Sequence, residues 1–300
     1  MTRRILLVAH PRRAEAVDVA RHVVAELAAA GVEVVLPAEE ADEFAGIDIG
    51  PVRTADLGDP TAGCELVVVL GGDGTILRGA EHARGSQVPL LGVNLGHVGF
   101  LAEAEREEVE ATVDHIVSRA YEVEERMTLD VTVTQQGGAV TQCWALNEVS
   151  VEKAARERML EVAVGVDGRP LSAFGCDGVV VATPTGSTAY AFSAGGPVIW
   201  PDVEAILMVP NSAHALFARP IVVGPRSRLA VEVIPSAEGH GVMWCDGRRQ
   251  EELLPGARID VGRSDTPVRL ARLTEASFTD RLVAKFDLSI AGWRGNGRLR

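Results

Sequence analysis

A 300-residue chain with 47% hydrophobic and 24% charged residues has the composition of a folded protein and is long enough for two domains with separate cores. Its formal net charge of -13 argues against a nucleic-acid partner, because phosphate backbones demand a basic face, yet glycine loops and helix ends can hold a nucleotide inside an acidic protein. No apolar run reaches the length of a membrane span, Arg12 and Arg13 follow too soon for a secretory signal, and the four cysteines form no Cys-x-x-Cys pair. A cytoplasmic protein without a membrane partner or a structural zinc is expected.

In chain order, residues 4–9 read as a strand, 14–30 as an alanine-rich amphipathic helix closed by Gly31, and 32–36 as a second strand. Residues 37–63, acidic and rich in Gly and Pro, read as a mobile surface loop. The run Leu66-Val67-Val68-Val69-Leu70 is unbroken by polar residues and too short for a helix, so it reads as a central strand of a parallel sheet. It gives way to Gly71-Gly72-Asp73-Gly74-Thr75, a phosphate-sized turn carrying one carboxylate. The same residues also fit a tight strand-to-helix turn capped by Asp73. A helix from about Ile76, with Arg78 one turn beyond Gly74, a strand at 88–93 and an acidic helix at 105–118 continue the βαβ rhythm of a doubly wound sheet.

The period then changes to two. Leu129, Val131 and Val133 alternate with polar residues, as do Leu160, Val162, Val164 and Val166, and strand patterns at 229–234, 259–261 and 268–273 continue a second, largely β domain. Gly137-Gly138, Asp167-Gly168 and Asp246-Gly247 are hairpin-turn signals. Within this domain Asn147-Glu148 sits in an apolar context, where a carboxylate needs a partner or a cleft. As a pair it also fits a surface edge strand. Residues 177–190 form a strand followed by a loop with hydroxyls at Thr183, Thr185, Ser187, Thr188 and Tyr190. These hydroxyls suit ribose, amide or phosphate oxygens, and equally a helix N-terminus capped by Ser187 or Thr188. The Gly292 to Arg300 tail reads as a frayed end.

Taken together, Gly71 to Thr75, Asn94-Leu95-Gly96-His97-Val98-Gly99-Phe100-Leu101, Asn147-Glu148, and Thr183 to Tyr190 followed by Ser193-Ala194-Gly195-Gly196-Pro197 resemble the NAD kinase family, in the family's order. The first signature is shared with diacylglycerol, sphingosine and phosphofructokinase relatives, whereas the others are far more specific to NAD kinases. Ile76 and Gly175 depart from the commoner pattern; the latter bears on fine substrate preference.

The resemblance implies a Rossmann-like α/β domain, residues 1–101 plus 276–300, holding ATP, and a mostly β, sandwich-like domain, residues 102–275, holding NAD. It implies transfer of the γ-phosphoryl group of ATP, with polyphosphate an open alternative donor, to the 2'-hydroxyl of the adenosine ribose. Asp73 is the implied base, Gly71, Gly72, Asp73 and Gly74 the phosphate turn with Arg78 as a cationic contact, and Mg²⁺ the counter-charge, with no protein metal ligands assigned. Asn147, Glu148 and the stretch Thr188, Ala189, Tyr190, Ala191, Phe192 and Ser193 line the implied adenosine pocket. Asp177 faces the nicotinamide riboside, and Arg158 lies near the dinucleotide. The resemblance further implies a site between the domains, a C-terminal segment from about residue 277 to 293 folded back on the first domain, and a homo-oligomer, dimer or tetramer, whose β domains pack together. A lipid kinase of the diacylglycerol or sphingosine type, or a non-catalytic NAD(H) sensor, is the alternative reading.

Overall fold

The computed structural model describes residues 2–95, 99–102, 104–105, 108–155, 158–235, 240–273 and 277–290. The chain forms two compact units, 1–125 with 268–300 and 126–267.

In chain order the first unit holds β1 (Arg3–Ala9), α1 (Ala14–Ala29), β2 (Val32–Leu36), α2 (Ala38–Glu43), β3 (Val52–Thr54), β4 (Leu66–Leu70), α3 (Asp73–Ala83), β5 (Leu90–Asn94), β6 (Ala104–Glu105), α4 (Val109–Ser118) and β7 (Glu122–Arg126). Its sheet runs β3-β2-β1-β4-β5, with β6 on β5, and the β1, β2, β3, β4, β5 and β6 pairings are parallel. All five residues of β4 are fully buried, because helices cover both faces of a parallel sheet, and each such Leu or Val contributes about 1.5–3 kcal/mol. Alternate residues divide between the faces. Leu66, Val68 and Leu70 join a core with Val23 and Leu27 of α1 and Val113 and Ile116 of α4, while Val69 meets α3.

The second unit holds β8 (Leu129–Thr134), β9 (Val140–Ala145), β10 (Glu148–Lys153), β11 (Leu160–Val166), β12 (Arg169–Cys176), β13 (Gly178–Ala182), α5 (Tyr190–Ser193), β14 (Ile206–Asn211), β15 (Ile221–Val223), β16 (Leu229–Val233), β17 (Gly241–Cys245), β18 (Arg249–Leu253) and β19 (Arg258–Arg263). Two antiparallel sheets, β15-β14-β13-β10-β17-β18 and β12-β11-β16-β19-β8-β9, share a core built from Leu129, Val131, Val149, Val151, Val179, Val181, Ile206 and Val231. The outer face of the first of these sheets carries a further layer, where Val180, Ala182, Leu207 and Val209 pack on Ala191, Ile199 and Ala205.

Three expectations are corrected. Residues 37–63 are not simply a loop: α2 and β3 form there, Phe44 and Ile49 are buried, and the Glu40 carboxylate turns inward to accept the Ala9 N–H at 3.2 Å. Residues 268–273 do not extend the β domain. They supply β20 (Val268–Arg272), which pairs parallel with β5 and leads to α6 (Phe278–Phe286). The unit boundaries therefore lie at 125/126 and 267/268, not at 101/102 and 275/276, because α4 packs on α1 and β7 joins β20 in the first sheet. The tail 292–300 lies outside the described residues.

A single glycine sets the closeness of α3 to its sheet. A Cβ at Gly79 would stand 2.4 Å from Val69 Cγ2 and 2.9 Å from Leu90 Cδ1, both fully buried on central strands. Gly79→Ala is therefore expected to cost about 1–3 kcal/mol of overpacking, read as a lower urea midpoint; an unchanged midpoint rejects this tight seat.

Candidate active site

In the first unit, β4 ends at Leu70 and gives way to Gly71, where a Cβ would meet Thr75 Oγ1 at 2.5 Å. Helix α3 starts at Asp73, three residues before the expected Ile76, with Gly72 as an N-cap that offers no side-chain bond. The sites of a Cβ on Gly72 and Gly74 face open space, so the N-terminal turn is uncovered, as a turn receiving phosphate must be.

Asp73 is gripped from the far side. Its carboxylate accepts the N–H groups of Phe100 at 3.4 Å and Leu101 at 3.3 Å, and a Cβ on Gly99 would sit 2.4 Å from Asp73 Oδ1. That segment is steadied in turn by α6. Arg281 Nη1 donates to the carbonyls of Phe100 at 3.2 Å and Ala102 at 3.1 Å, and the Phe100 ring lies 5.7 and 5.9 Å from those of Phe278 and Phe286. A capping box between Ser277 and Asp280 starts this helix. The chain's last described helix thus holds the loop that orients Asp73.

Arg78 is not the solvent-exposed helix residue of the alternative reading. Its Nη2 donates to the Ala9 carbonyl at 2.8 Å and its Nε lies 3.1 Å from Glu40 Oε1, a carboxylate only 4% exposed. The guanidinium is thus committed to neutralising a buried charge, which would otherwise be costly.

In the second unit, Asn147 and Glu148 lie at the start of β10, both buried. Val149 and Val151 face the sandwich core, so Glu148, Ser150 and Glu152 stand on the opposite face of the strand. Ser150 Oγ donates to Glu152 Oε1 at 2.6 Å, whereas Glu148 Oε2 is buried without a hydrogen-bond partner among the described residues. Burial pushes the Glu148 carboxyl up to about 8; Asp246 and Glu152 add to this and the Tyr190 N–H opposes it.

The loop after β13 closes over this strand end. A Cβ on Gly186 would be 2.0 Å from the Asn147 carbonyl oxygen, so the 3₁₀ turn Thr185–Thr188 rests directly on the Asn147 backbone. The expectation that the loop's hydroxyls face a ligand is corrected for most of them. Thr183 Oγ1 donates to the Leu146 carbonyl at 2.6 Å and accepts the Gly186 N–H at 3.0 Å; Ser187 Oγ donates to the Pro184 carbonyl at 2.7 Å and accepts the Ile199 N–H at 2.9 Å; Thr188 Oγ1 donates to the Thr185 carbonyl at 3.2 Å. A chain leaving a sheet loses its ladder partners, and these hydroxyls replace them.

Ala191 is packed in the outer apolar layer, while Phe192 and Ser193 are exposed. Tyr190 runs along the face: its N–H addresses Glu148 and its hydroxyl accepts from Asn211 Nδ2 at 3.4 Å. The Asn211 carbonyl takes the Asp177 N–H at 3.1 Å. Asp177 precedes β13 at the end away from Glu148, which pairs with Ala182, and a hydrogen bond from Lys153, with Nζ 2.5 Å from Oδ1, holds its carboxyl below the usual range. Arg158 is exposed on the approach to β11, next to Met159, whose sulfur would be 2.2 Å from a Cβ on Gly175.

Sequence reasoning saw Asp246 only as a turn residue. At a φ of 55° it aims its buried carboxylate at three successive backbone donors, Leu146 N at 3.0 Å, Asn147 N at 2.7 Å and Glu148 N at 3.3 Å. Burial pushes its pKa up, and the Leu146 and Asn147 N–H groups, Arg249 and the Glu148 N–H oppose this. Arg249 Nη2 lies 2.7 Å from Oδ2 and its guanidinium 4.5 Å from the Trp144 ring centre. Ser150, Glu152 and Asn211 were also missed; the alternation of Glu148, Ser150 and Glu152 with valines was the available signal.

Asp246→Asn turns an amide donor toward at least one of these N–H groups and should cost about 2–3 kcal/mol, seen in urea unfolding as a loss that Asp246→Glu does not reproduce in full. For Glu148 the sign of the pH effect is fixed by its raised pKa. Between the ordinary 4.5 and about 8 the folded chain keeps a proton that the unfolded chain has released, so stability falls as pH rises through that window and levels off above it. Glu148→Gln should flatten this decline in a series of thermal midpoints; an unaltered slope assigns it to other groups.

Two family models match, the ATP-NAD kinase N-terminal domain over residues 5–121 and the ATP-NAD kinase C-terminal domain over residues 146–273. The chain is 60% identical over 296 residues to NAD kinase 2 of Streptomyces avermitilis, covering 98% of this chain and 97% of that protein. It is 52% identical over 304 residues to the NAD kinase of Mycobacterium tuberculosis, covering 98% of each. A crystal structure of an NAD kinase from Archaeoglobus fulgidus in complex with ATP superposes with a TM-score of 0.71 at 26% identity, over 96% of this chain and 99% of that one. Yeast NADH kinase complexed with NADH gives a TM-score of 0.87 at 24% identity, over 97% and 89%, which speaks to the fold. With both family models matched in order and near full-length relatives above half identity, the chain belongs to the NAD kinase family.

Proposed function

We propose that this NAD kinase transfers the γ-phosphoryl group of ATP to the 2'-hydroxyl of the adenosine ribose of NAD, giving NADP. The observation that carries the reading is Asp73. One carboxylate stands at an uncapped helix N-terminus beside two open glycines, oriented by the Phe100 and Leu101 N–H groups. Asp73 accepts the proton of the attacking hydroxyl, and the N–H groups of the Gly72 to Gly74 turn receive phosphate oxygens. Positioning does the remaining work, since phosphoryl transfer asks for little covalent help from the protein.

Asn147, Glu148 and the loop from Thr188 to Ser193 are the acceptor pocket in this reading. The unpartnered Glu148 Oε2 is an acceptor for a ribose hydroxyl, and the polar face toward Asp177 serves the nicotinamide half. Arg78 is left out of the phosphate site because Glu40 occupies it.

Among the described residues no three His, Cys, Asp or Glu side chains converge on a metal position. In this reading a divalent cation is carried by the nucleotide, and its contribution when bound is to neutralise phosphate charge. Exposed apolar residues of the β unit, including Trp200, Leu216, Phe217 and Val222, support a homo-oligomer built through that unit. No helix among the described residues is long and apolar enough to cross a membrane, which is compatible with a cytoplasmic site of action. The lipid-kinase alternative falls with the family assignment.

The test is purified protein with ATP, Mg²⁺ and NAD, with NADP read out by an NADP-specific dehydrogenase. Asp73→Asn should lower kcat by about 10²–10⁴-fold while NAD binding stays within a few-fold, because a base acts mainly in the transition state. Near-normal kcat in that variant removes Asp73 from the mechanism.

A further inference from the structure

Two of the four cysteines sit together beside the acceptor pocket. Cys143 is on β9, an edge strand of its sheet that pairs only with β8 among the described strands. It is half-buried, whereas Cys245, on β17, is fully buried, and both belong to one core cluster. Strand β9 is pressed against the β17–β18 hairpin on both sides of Cys143: Thr141 Oγ1 lies 3.3 Å from Glu251 Oε1, and the Trp144 ring lies 4.5 Å from the Arg249 guanidinium. Arg249 is the register partner of Cys245. The interaction of the two thiols across this contact lowers the pKa of Cys143, with the Arg249 charge assisting against burial, and together with burial raises that of Cys245, where Arg249 opposes the shift.

We propose that Cys143 and Cys245 are a reversible oxidation site, closed to a disulfide by a hydroperoxide, and that closing it loosens the Asp246 clamp and weakens acceptor binding.

The step balances with hydrogen peroxide as the two-electron oxidant. The Cys143 thiolate attacks one peroxide oxygen, the O–O bond breaks and hydroxide leaves, giving a sulfenic acid. The Cys245 sulfur then attacks that sulfur; the S–OH bond breaks, the hydroxyl leaves with the Cys245 proton as water, and the S–S bond forms. The accessible thiol is the one with thiolate character, and the buried one resolves it.

The consequence follows from the chain. Cys245 adjoins Asp246, whose carboxylate holds the Leu146, Asn147 and Glu148 N–H groups, and Cys143 lies three residues before Leu146. A disulfide needs sulfurs at about 2.05 Å with a fixed dihedral. The edge strand β9 has less holding it than β17, which is flanked by β10 and β18, so β9 moves and its continuation into residues 146–148 moves with it. The effect on NAD rests on the functional reading above; the bond and the backbone change do not.

The experiment treats reduced, full-length protein with stoichiometric hydrogen peroxide and follows it by peptide mapping, amide hydrogen exchange and initial rates. The expected result is a Cys143–Cys245 linked peptide, faster exchange at Leu146, Asn147 and Glu148, and a KM for NAD raised about tenfold with the KM for ATP unchanged. Dithiothreitol should reverse all of these, and Cys143→Ser, at the exposed edge, should show none. A Cys143 that proceeds to sulfinic acid without a link, a link that leaves exchange at 146–148 unchanged, or equal peroxide sensitivity in Cys143→Ser overturns the proposal. Reduced protein that makes no NADP would instead overturn the functional reading, and mapping and exchange would still decide the oxidation site.

Discussion

A buried carboxylate cannot be left without donors, and the second unit is arranged around that constraint at Asp246. Its side chain is 2% exposed and collects three backbone N–H groups from residues 146–148 and one guanidinium. Those N–H groups belong to the chain as it passes from β9 in one sheet to β10 in the other, so the hydrogen bonds fix the crossing between the two layers of the sandwich. Because the crossing is fixed, the Asn147 carbonyl is in place to receive the Thr183 N–H at 2.9 Å and to floor the Gly186 turn. Glu148 is then left with an unmatched oxygen. A protein that spends three amides on one carboxylate beside another unsatisfied carboxyl is giving up stability at a place where a polar ligand would restore it.

The first unit solves a different problem, that of presenting a charged side chain at the end of a fully buried strand. Close backbone approach does this. Gly79 lets α3 descend onto Val69 and Leu90, Gly92 admits Ile76 where a Cβ would be 2.6 Å away, and Gly99 makes room for the Asp73 carboxylate itself. The helix is drawn toward the sheet, its first turn opens at the strand's carboxyl end, and Asp73 meets the N–H groups of Phe100 and Leu101. In open α/β sheets this end of the strands is where ligands bind.

Much of this was readable along the chain wherever the signal was local. The β4 run, the Gly31 stop of α1, the alternation of Leu129 with Val131 and Val133, and the motif segments all depend on near neighbours, and the structure has the strands and helices there. Readings that failed involved partners distant in sequence. Arg78 could be read as a surface residue because Glu40, 38 positions away, was assigned to a loop. Val268 to Arg272 has the same alternating pattern as the β-domain strands, and only its pairing with Leu90 shows which sheet it completes. The hydroxyls of Thr183, Ser187 and Thr188 fitted a ligand and a helix terminus equally in sequence, and the fold shows them bonded to the backbone of their own segment.

The sequence by itself determined the family, the α/β character of the first half and the mostly β character of the second, the carboxylate on its glycine turn and the Asn147-Glu148 pair, because each is carried by residue types at short spacing whose local geometry admits few alternatives. Tertiary structure alone decided which of the charged and hydroxyl side chains are free for chemistry. That choice depends on burial and on long-range partners: Glu40 claims Arg78, Lys153 claims Asp177, the loop carbonyls claim Thr183 and Ser187, and Asp246 is placed to hold Asn147 and Glu148 from 99 and 98 residues away. A polar side chain's function is set by what the fold leaves unsatisfied around it, and that balance exists only once the chain has closed on itself.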